Sequence, residues 1–178
     1  MTDDWQCLEL AHGGDENAWR DLFERHYPAL VRMTSCITGS IETGQDLAQE
    51  SFVRLLHADI RHHAGTFKSF LSTIAYRLAL KEKLRIGLYQ RPDPALIADE
   101  SPSPLELAIR DDTGRMIIRV IQSLSAEQRE ILTLRYIGGH SYEEIARITE
   151  VPIGTVKSRV FYAVKTCREL LEQRGVFK

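Results

Sequence analysis

Apolar residues recur along this chain at three- and four-residue intervals while alternating strand-like runs are nearly absent, so the pattern predicts an all-α protein. Asp15 is placed to cap a helix carrying Trp19, Leu22 and Phe23, and Pro28 fits the first turn of a further segment with Leu30, Val31, Met33 and Ile37 before Gly39. Residues 46–57 put Leu47, Phe52, Leu55 and Leu56 on one side of a helix and leave Asp46, Gln49, Glu50 and Arg54 for a partner on the other. After a polar stretch, Thr66 can cap a long helix whose apolar residues run from Phe67 through Phe70, Leu71, Ile74 and Leu78 to Leu84.

Pro92, Pro94, Pro102 and Pro104 then interrupt an acidic stretch, which reads as a flexible linker over residues 88–104. It divides the chain into two small helical domains, residues 1–87 and 105–178. Fully extended, such a stretch reaches roughly 60 Å at about 3.3 Å per residue, so the domains need not touch. In the second domain residues 105–124 form one amphipathic pattern. Ser125 with Gln128 makes a capping box for a helix that turns Ile131, Leu132, Leu134 and Tyr136 inward.

The most specific local signal spans residues 141–163. Ser141 and Glu144 form a second capping box, opening a short helix with Ile145 and Ile148 apolar and Ala146 small enough for close helix approach. Pro152 and Gly154 mark a turn. A helix follows with Val156, Val160 and Val164 on one stripe and Thr155, Lys157, Ser158 and Arg159 near its start. This is a helix-turn-helix arrangement, whose second helix enters the major groove of duplex DNA with its first residues at base edges and phosphates. Arg159 has the planar donor fork for a base, whereas Lys157 and the hydroxyls of Thr155 and Ser158 suit phosphate at a helix N-terminus.

Charge changes the picture of the partners. The 178 residues sum to a net charge of -2, yet Arg61, Lys68, Arg77, Lys81, Lys83, Arg85 and Arg91 oppose only Glu82, a balance of +6 over residues 61–91. A second basic stretch closes the chain, with six cations against Glu169 and Glu172, or +4 over residues 151–178. Two basic segments on an otherwise acidic chain point to two contacts with a polyanion and to a protein partner for the remainder. At 43% hydrophobic and 27% charged residues the chain has the apolar content for a folded core. No run approaches the roughly 18 apolar residues of a membrane span, and Met-Thr-Asp-Asp-Trp-Gln lacks a signal-peptide pattern, so the expected location is the cytoplasm with no membrane insertion. Cys7, Cys36 and Cys167 are odd in number and far apart, which signals neither a disulfide framework nor a zinc site.

The segment IQSLSAEQREILTLRYIGGHSYEEIARITEVPIGTVKSRVFYAVKTCRELL, residues 121–171, resembles region 4 of the extracytoplasmic-function (ECF) sigma factors of RNA polymerase, with SYEEIA and GTVKSR the specific pieces. DLAQESFVRLL at 46–56 resembles that family's region 2.2, and FKSFLSTIAYRLAL at 67–80 its regions 2.3 and 2.4. The resemblance implies two helical domains that bind core RNA polymerase and direct it to promoter DNA, region 2 at the −10 element and region 4 at the −35 element. It implies a polymerase contact through Asp46, Gln49, Glu50 and Arg54. It implies a −10 contact through Arg61, His62, His63, Thr66, Lys68, Arg77 and Lys81. A −35 contact would use Ser141, Thr155, Lys157, Ser158, Arg159 and Tyr162. It further implies an anti-sigma factor as regulator, and no cofactor, metal, small-molecule substrate or catalytic activity.

Departures from the family pattern stand at named positions. Ser125 replaces a usual Pro, Glu150 a Gly, Phe70 a Trp, Arg77 an Asn, and Tyr162 and Val164 replace arginines. Glu150 puts a side chain where the turn favours a left-handed residue. Two other function classes are disfavoured. A LuxR-type regulator would need an α/β N-terminal half. A metal-dependent hydrolase built from His26, His57, His62, His63 and Glu50 would need a ligand spacing such as HExxH, which is missing.

Overall fold

The computed structural model describes residues 3–58, 65–89 and 112–174, and within them every regular element is a helix. The first domain comprises α1 (Asp4–His12), α2 (Glu16–Thr38), α3 (Ile41–Leu56) and α4 (Phe67–Tyr89). The second comprises α5 (Asp112–Ser123), α6 (Ala126–Leu132), a π-helical turn (Thr133–Ile137), α7 (Tyr142–Thr149) and α8 (Ile153–Gln173). The expected linker between the domains falls mostly on residues 90–111, outside the described residues.

Local chemistry starts these helices where the sequence places the signals. The Asp15 carboxylate accepts from the backbone N–H groups of Asn17 and Ala18, and the Thr66 hydroxyl accepts from Ser69 N–H at 3.2 Å. Both capping boxes close reciprocally, Ser125 with Gln128 and Ser141 with Glu144. Helix α1, which the sequence pattern does not announce, buries Cys7 and Leu8 and sets Trp5 edge-on to Phe67 with ring centroids 5.4 Å apart.

Three local expectations are corrected. Pro28 begins no new segment but lies inside the continuous helix α2. Its missing N–H and ring clash cost about 3 kcal/mol in a helix interior. Helical continuity offsets this by keeping Leu22, Leu30, Met33 and Ile37 in register with one core. Tyr136 points outward, because the chain widens into a π-turn after Leu132 and closes Gly138 N–H onto the Thr133 carbonyl, shifting the side-chain phase. Leu84 is 70% exposed. At about 100° per residue it lies roughly opposite Leu71 and the buried stripe of α4.

Helices α2 and α3 pack with little space between their backbones at Gly44. A Cβ there would lie 2.7 Å from Ser35 N and 2.8 Å from Ser35 Cα, and the Thr34 hydroxyl donates to the Gly44 carbonyl at 2.7 Å. The two domains do not stand apart. One hydrophobic core runs from Leu30, Met33 and Leu71 in the first domain into Ile131, Leu134 and Ile145 in the second. A smaller cluster joins Cys36 and Ile41 of the first domain to Ile118, Ile121 and Ile137 of the second. Apolar burial docks the two domains.

Candidate nucleic-acid and polymerase interfaces

The helix-turn-helix is built from α7 and α8. Ile145 and Ile148 of α7 pack with Val156, Val160 and Ala163 of α8 in the common core. Between the helices Glu150 occupies the left-handed region at φ 58° and ψ 32°, so the turn keeps the geometry that a glycine would supply, with a side chain in it. Pro152 then precedes the first turn of α8.

Burial of Val156, Val160 and Ala163 fixes the opposite side of α8 as its outward face. Lys157, Ser158, Phe161, Tyr162 and Lys165 are exposed there, and Thr155 is half-buried. The Ser158 hydroxyl donates to the Thr155 carbonyl at 3.0 Å. Arg159 sits on the flank, 35% exposed and 3.4 Å from a Glu127 carboxylate oxygen. Ser141 is engaged as the cap of α7. Phe161, 66% exposed and edge-on to Tyr162 with centroids 5.5 Å apart, joins this face without having been expected on it. An aromatic residue interrupting the polar face of a basic helix was the available signal. Val164, expected on the buried stripe, is exposed. It borders an apolar groove of about 310 Å³ with Ile117, Ile121, Tyr136, Cys167 and Leu171.

The expected −10 residues divide into three groups. Arg61, His62 and His63 lie outside the described residues. Thr66, Lys68 and Arg77 are each engaged by the second domain: Thr66 Oγ1 donates to Glu144 at 2.6 Å, Lys68 Nζ donates to the Gly139 carbonyl at 3.4 Å, and Arg77 pairs with Glu150. Lys81 is exposed, with no hydrogen bond or ion pair among the described residues.

His140 belongs to the same contact. Its Nε2 is hydrogen-bonded to Ser72 Oγ at 2.9 Å and its Nδ1 lies 3.6 Å from Glu144, in a site closed to solvent. Burial, reinforced by Lys68 and opposed by Glu144, pushes the imidazole down to about 4, so it is neutral near pH 7. Farther along α4, Tyr76 donates to Glu130 at 3.0 Å and Lys83 donates to the same carboxylate at 2.6 Å. Burial and then that carboxylate raise the Tyr76 phenol.

On α3, Asp46, Gln49 and Arg54 are exposed and Glu50 is half-buried, with Arg54 donating to Glu50 at 2.8 Å. Val53 and Leu56 are also exposed on this helix, Leu56 contrary to its expected place on the apolar side. Among the described residues no cluster of three His, Cys, Asp or Glu side chains could hold a metal ion, and no helix is long and apolar enough to cross a membrane.

A helix-turn-helix with an exposed basic face, docked on a second helical domain that carries a basic helix, has the build of a DNA-binding protein. The models of Sigma-70 region 2 and Sigma-70 region 4 match residues 22–86 and 114–167. The RNA polymerase sigma-H factor of Pseudomonas aeruginosa is 28% identical over 186 residues, covering 95% of this chain and 94% of that protein. The ECF RNA polymerase sigma-E factor of Escherichia coli is 30% identical over 174 residues, covering 90% of each. Among solved structures, the Bartonella quintana sigma factor RpoE, in complex with the anti-sigma factor NepR, superposes with a TM-score of 0.67 at 23% identity over 86% of this chain and 96% of that one. CnrH, in complex with the cytosolic domain of CnrY, gives a TM-score of 0.68 at 20% identity over 94% and 96%. The chain belongs to the ECF RNA polymerase sigma factors.

Proposed function

We propose that this sigma factor docks on core RNA polymerase through the outward face of α3, with Asp46, Gln49, Glu50 and Arg54 as the contact residues. The −10 element is held as a single strand by the loop of Arg61, His62, His63 and Thr66, with Lys68, Arg77 and Lys81 on its backbone. The −35 element lies along α8, where Arg159 reads a base and Lys157 holds phosphate, with Thr155, Ser158, Tyr162 and the cap of α7 at Ser141 beside them. The factor supplies no catalytic chemistry of its own and acts in the cytoplasm, where promoter DNA and polymerase are found. An anti-sigma factor holds it inactive, a reading supported by the anti-sigma factor NepR in complex with the similar Bartonella quintana sigma factor.

The observation that carries the reading is the exposed start of α8, with Lys157 and Ser158 open beside Arg159 and apolar Val156 anchored beneath. The test is core binding and promoter-directed transcription by the triple variant Gln49→Ala, Glu50→Ala, Arg54→Ala. Weakened core affinity with unchanged helicity is the expected result. Wild-type affinity would remove α3 from the polymerase contact.

A further inference from the structure

Two large aromatic rings stand out in solvent on the middle of α8. Phe161 and Tyr162 are 66% and 60% exposed, with ring centroids 5.5 Å apart and ring planes at 78°. Val160 and Ala163, their neighbours in sequence, are buried in the common core and fix the rotation of the helix beneath them. The backbone at Tyr162 is also tied to α6: the Thr166 hydroxyl donates to the Tyr162 carbonyl at 3.0 Å and accepts from Gln128 Nε2 at 3.1 Å. Rigid parts of the domain therefore hold the aromatic pair outward.

Cations flank Phe161 along its own line of the helix. Lys157 and Lys165 lie one turn to either side, four residues before and four after, and both are exposed. Eight residues separate them, about 12 Å at 1.5 Å per residue, close to the roughly 12 Å width of the major groove. Gly154, about two turns before Phe161, has nothing within 4 Å of where a Cβ would stand, so the line is bare on that side.

We infer that Phe161, backed by Tyr162, is a specificity-determining residue that reads the 5-methyl group of a thymine in the −35 duplex, with Lys157 and Lys165 on the phosphates of the groove walls. This role of Phe161 rests on the docking of α8 in the major groove proposed above. The thymine methyl is the apolar group that base pairs present at the major-groove edge. A phenyl ring offers no hydrogen bond to the other edges, so its discrimination comes from covering that methyl and keeping water from it. An apolar protein surface would leave the two lysines unmatched, whereas phosphate walls match both. The steep angle between the rings makes an apolar corner that fits a methyl group, unlike the parallel platform on which bases of a single strand stack.

The test uses the full chain assembled with core RNA polymerase. The holoenzyme selects a duplex from a library randomised over the promoter region. Each thymine of its −35 segment is then replaced singly by deoxyuridine, which keeps the pairing edge and lacks only the methyl. The expected result is roughly fourfold weaker binding by the wild type at one or two of these positions, the effect of returning one methyl-sized group to water. Phe161→Ala should bind the thymine and deoxyuridine duplexes equally. Phe161→Leu, which restores apolar surface, should regain part of the preference, as a disrupted helix would not. Deoxyuridine that costs the wild type nothing overturns the inference, and Lys157→Ala then separates the two readings. A uniform weakening by Lys157→Ala on all duplexes leaves the docking of α8 standing, whereas no weakening overturns the docking as well. A deoxyuridine penalty that persists in Phe161→Ala gives the methyl to another residue and overturns the inference. Loss of core affinity in Phe161→Ala without DNA, with no deoxyuridine penalty in the wild type, makes the pair a protein contact and overturns it too.

Discussion

Ser72 on α4 and His140 in the turn before α7, 68 positions apart in sequence, share a hydrogen bond of 2.9 Å that is closed to solvent. The bond joins the two domains through a titratable group. Its surroundings are Lys68, which disfavours a second positive charge, and Glu144, which favours one. The balance lies with the neutral ring because desolvation is the largest influence.

Acid should therefore loosen the docking. The folded pKa of His140 is about 4 against an ordinary 6.5, so the docked state binds fewer protons than the open one. The stability that His140 permits is complete above pH 6.5 and is lost as pH falls toward 4. The shift corresponds to about 3 kcal/mol at most. Denaturant titrations of the wild type and of His140→Gln at stepped pH measure it: the wild type should lose more stability than the variant in this window. Parallel pH profiles would remove His140 as the cause.

The left-handed turn at Glu150 should respond to glycine. Glu150→Gly and Glu150→Ala both lose the Arg77 pair, but only glycine relieves the positive φ of 58°. Glycine should exceed alanine by about 1 kcal/mol, or roughly 2–4 °C in melting temperature. Equal melting temperatures would mean that the turn relaxes without cost.

Gly44 should resist even the smallest side chain. Its Cβ would meet the backbone of Ser35 at 2.7 and 2.8 Å, and backbone cannot swing aside as a flexible side chain would. Gly44→Ala should cost about 3 kcal/mol through separation of α2 and α3. A urea midpoint unchanged from wild type would show that the helices shift freely.

Lys157 and Arg159 should separate backbone holding from base reading in the polymerase holoenzyme. Lys157→Ala should weaken all promoter sequences alike and lower the salt slope by about one, because one fewer counterion is released. Arg159→Ala should cost on the order of 1–3 kcal/mol on the preferred −35 element and much less on unrelated DNA. Its Glu127 partner at 3.4 Å must be given up on binding. A uniform loss from Arg159→Ala, together with a sequence-dependent loss from Lys157→Ala, would exchange the two roles.

The sequence by itself determined what depends on neighbours within one or two turns. Ser125 with Gln128, Ser141 with Glu144, Asp15 and Thr66 cap the helices they were expected to cap, because a side chain and the backbone N–H groups beside it need no distant partner. The helix-turn-helix was legible for the same reason, as was the polar face of α3. Only the tertiary structure decided the features whose energy comes from contacts far apart in sequence. Pro28 remains helical because the core on both sides of it compensates a local loss, and Tyr136 turns outward because a π-turn changes the phase of the helix it ends. Docking of the domains, and with it the engagement of Thr66, Lys68 and Arg77, depends on a shared core between residues roughly 60 to 115 positions apart, separations that no local pattern records.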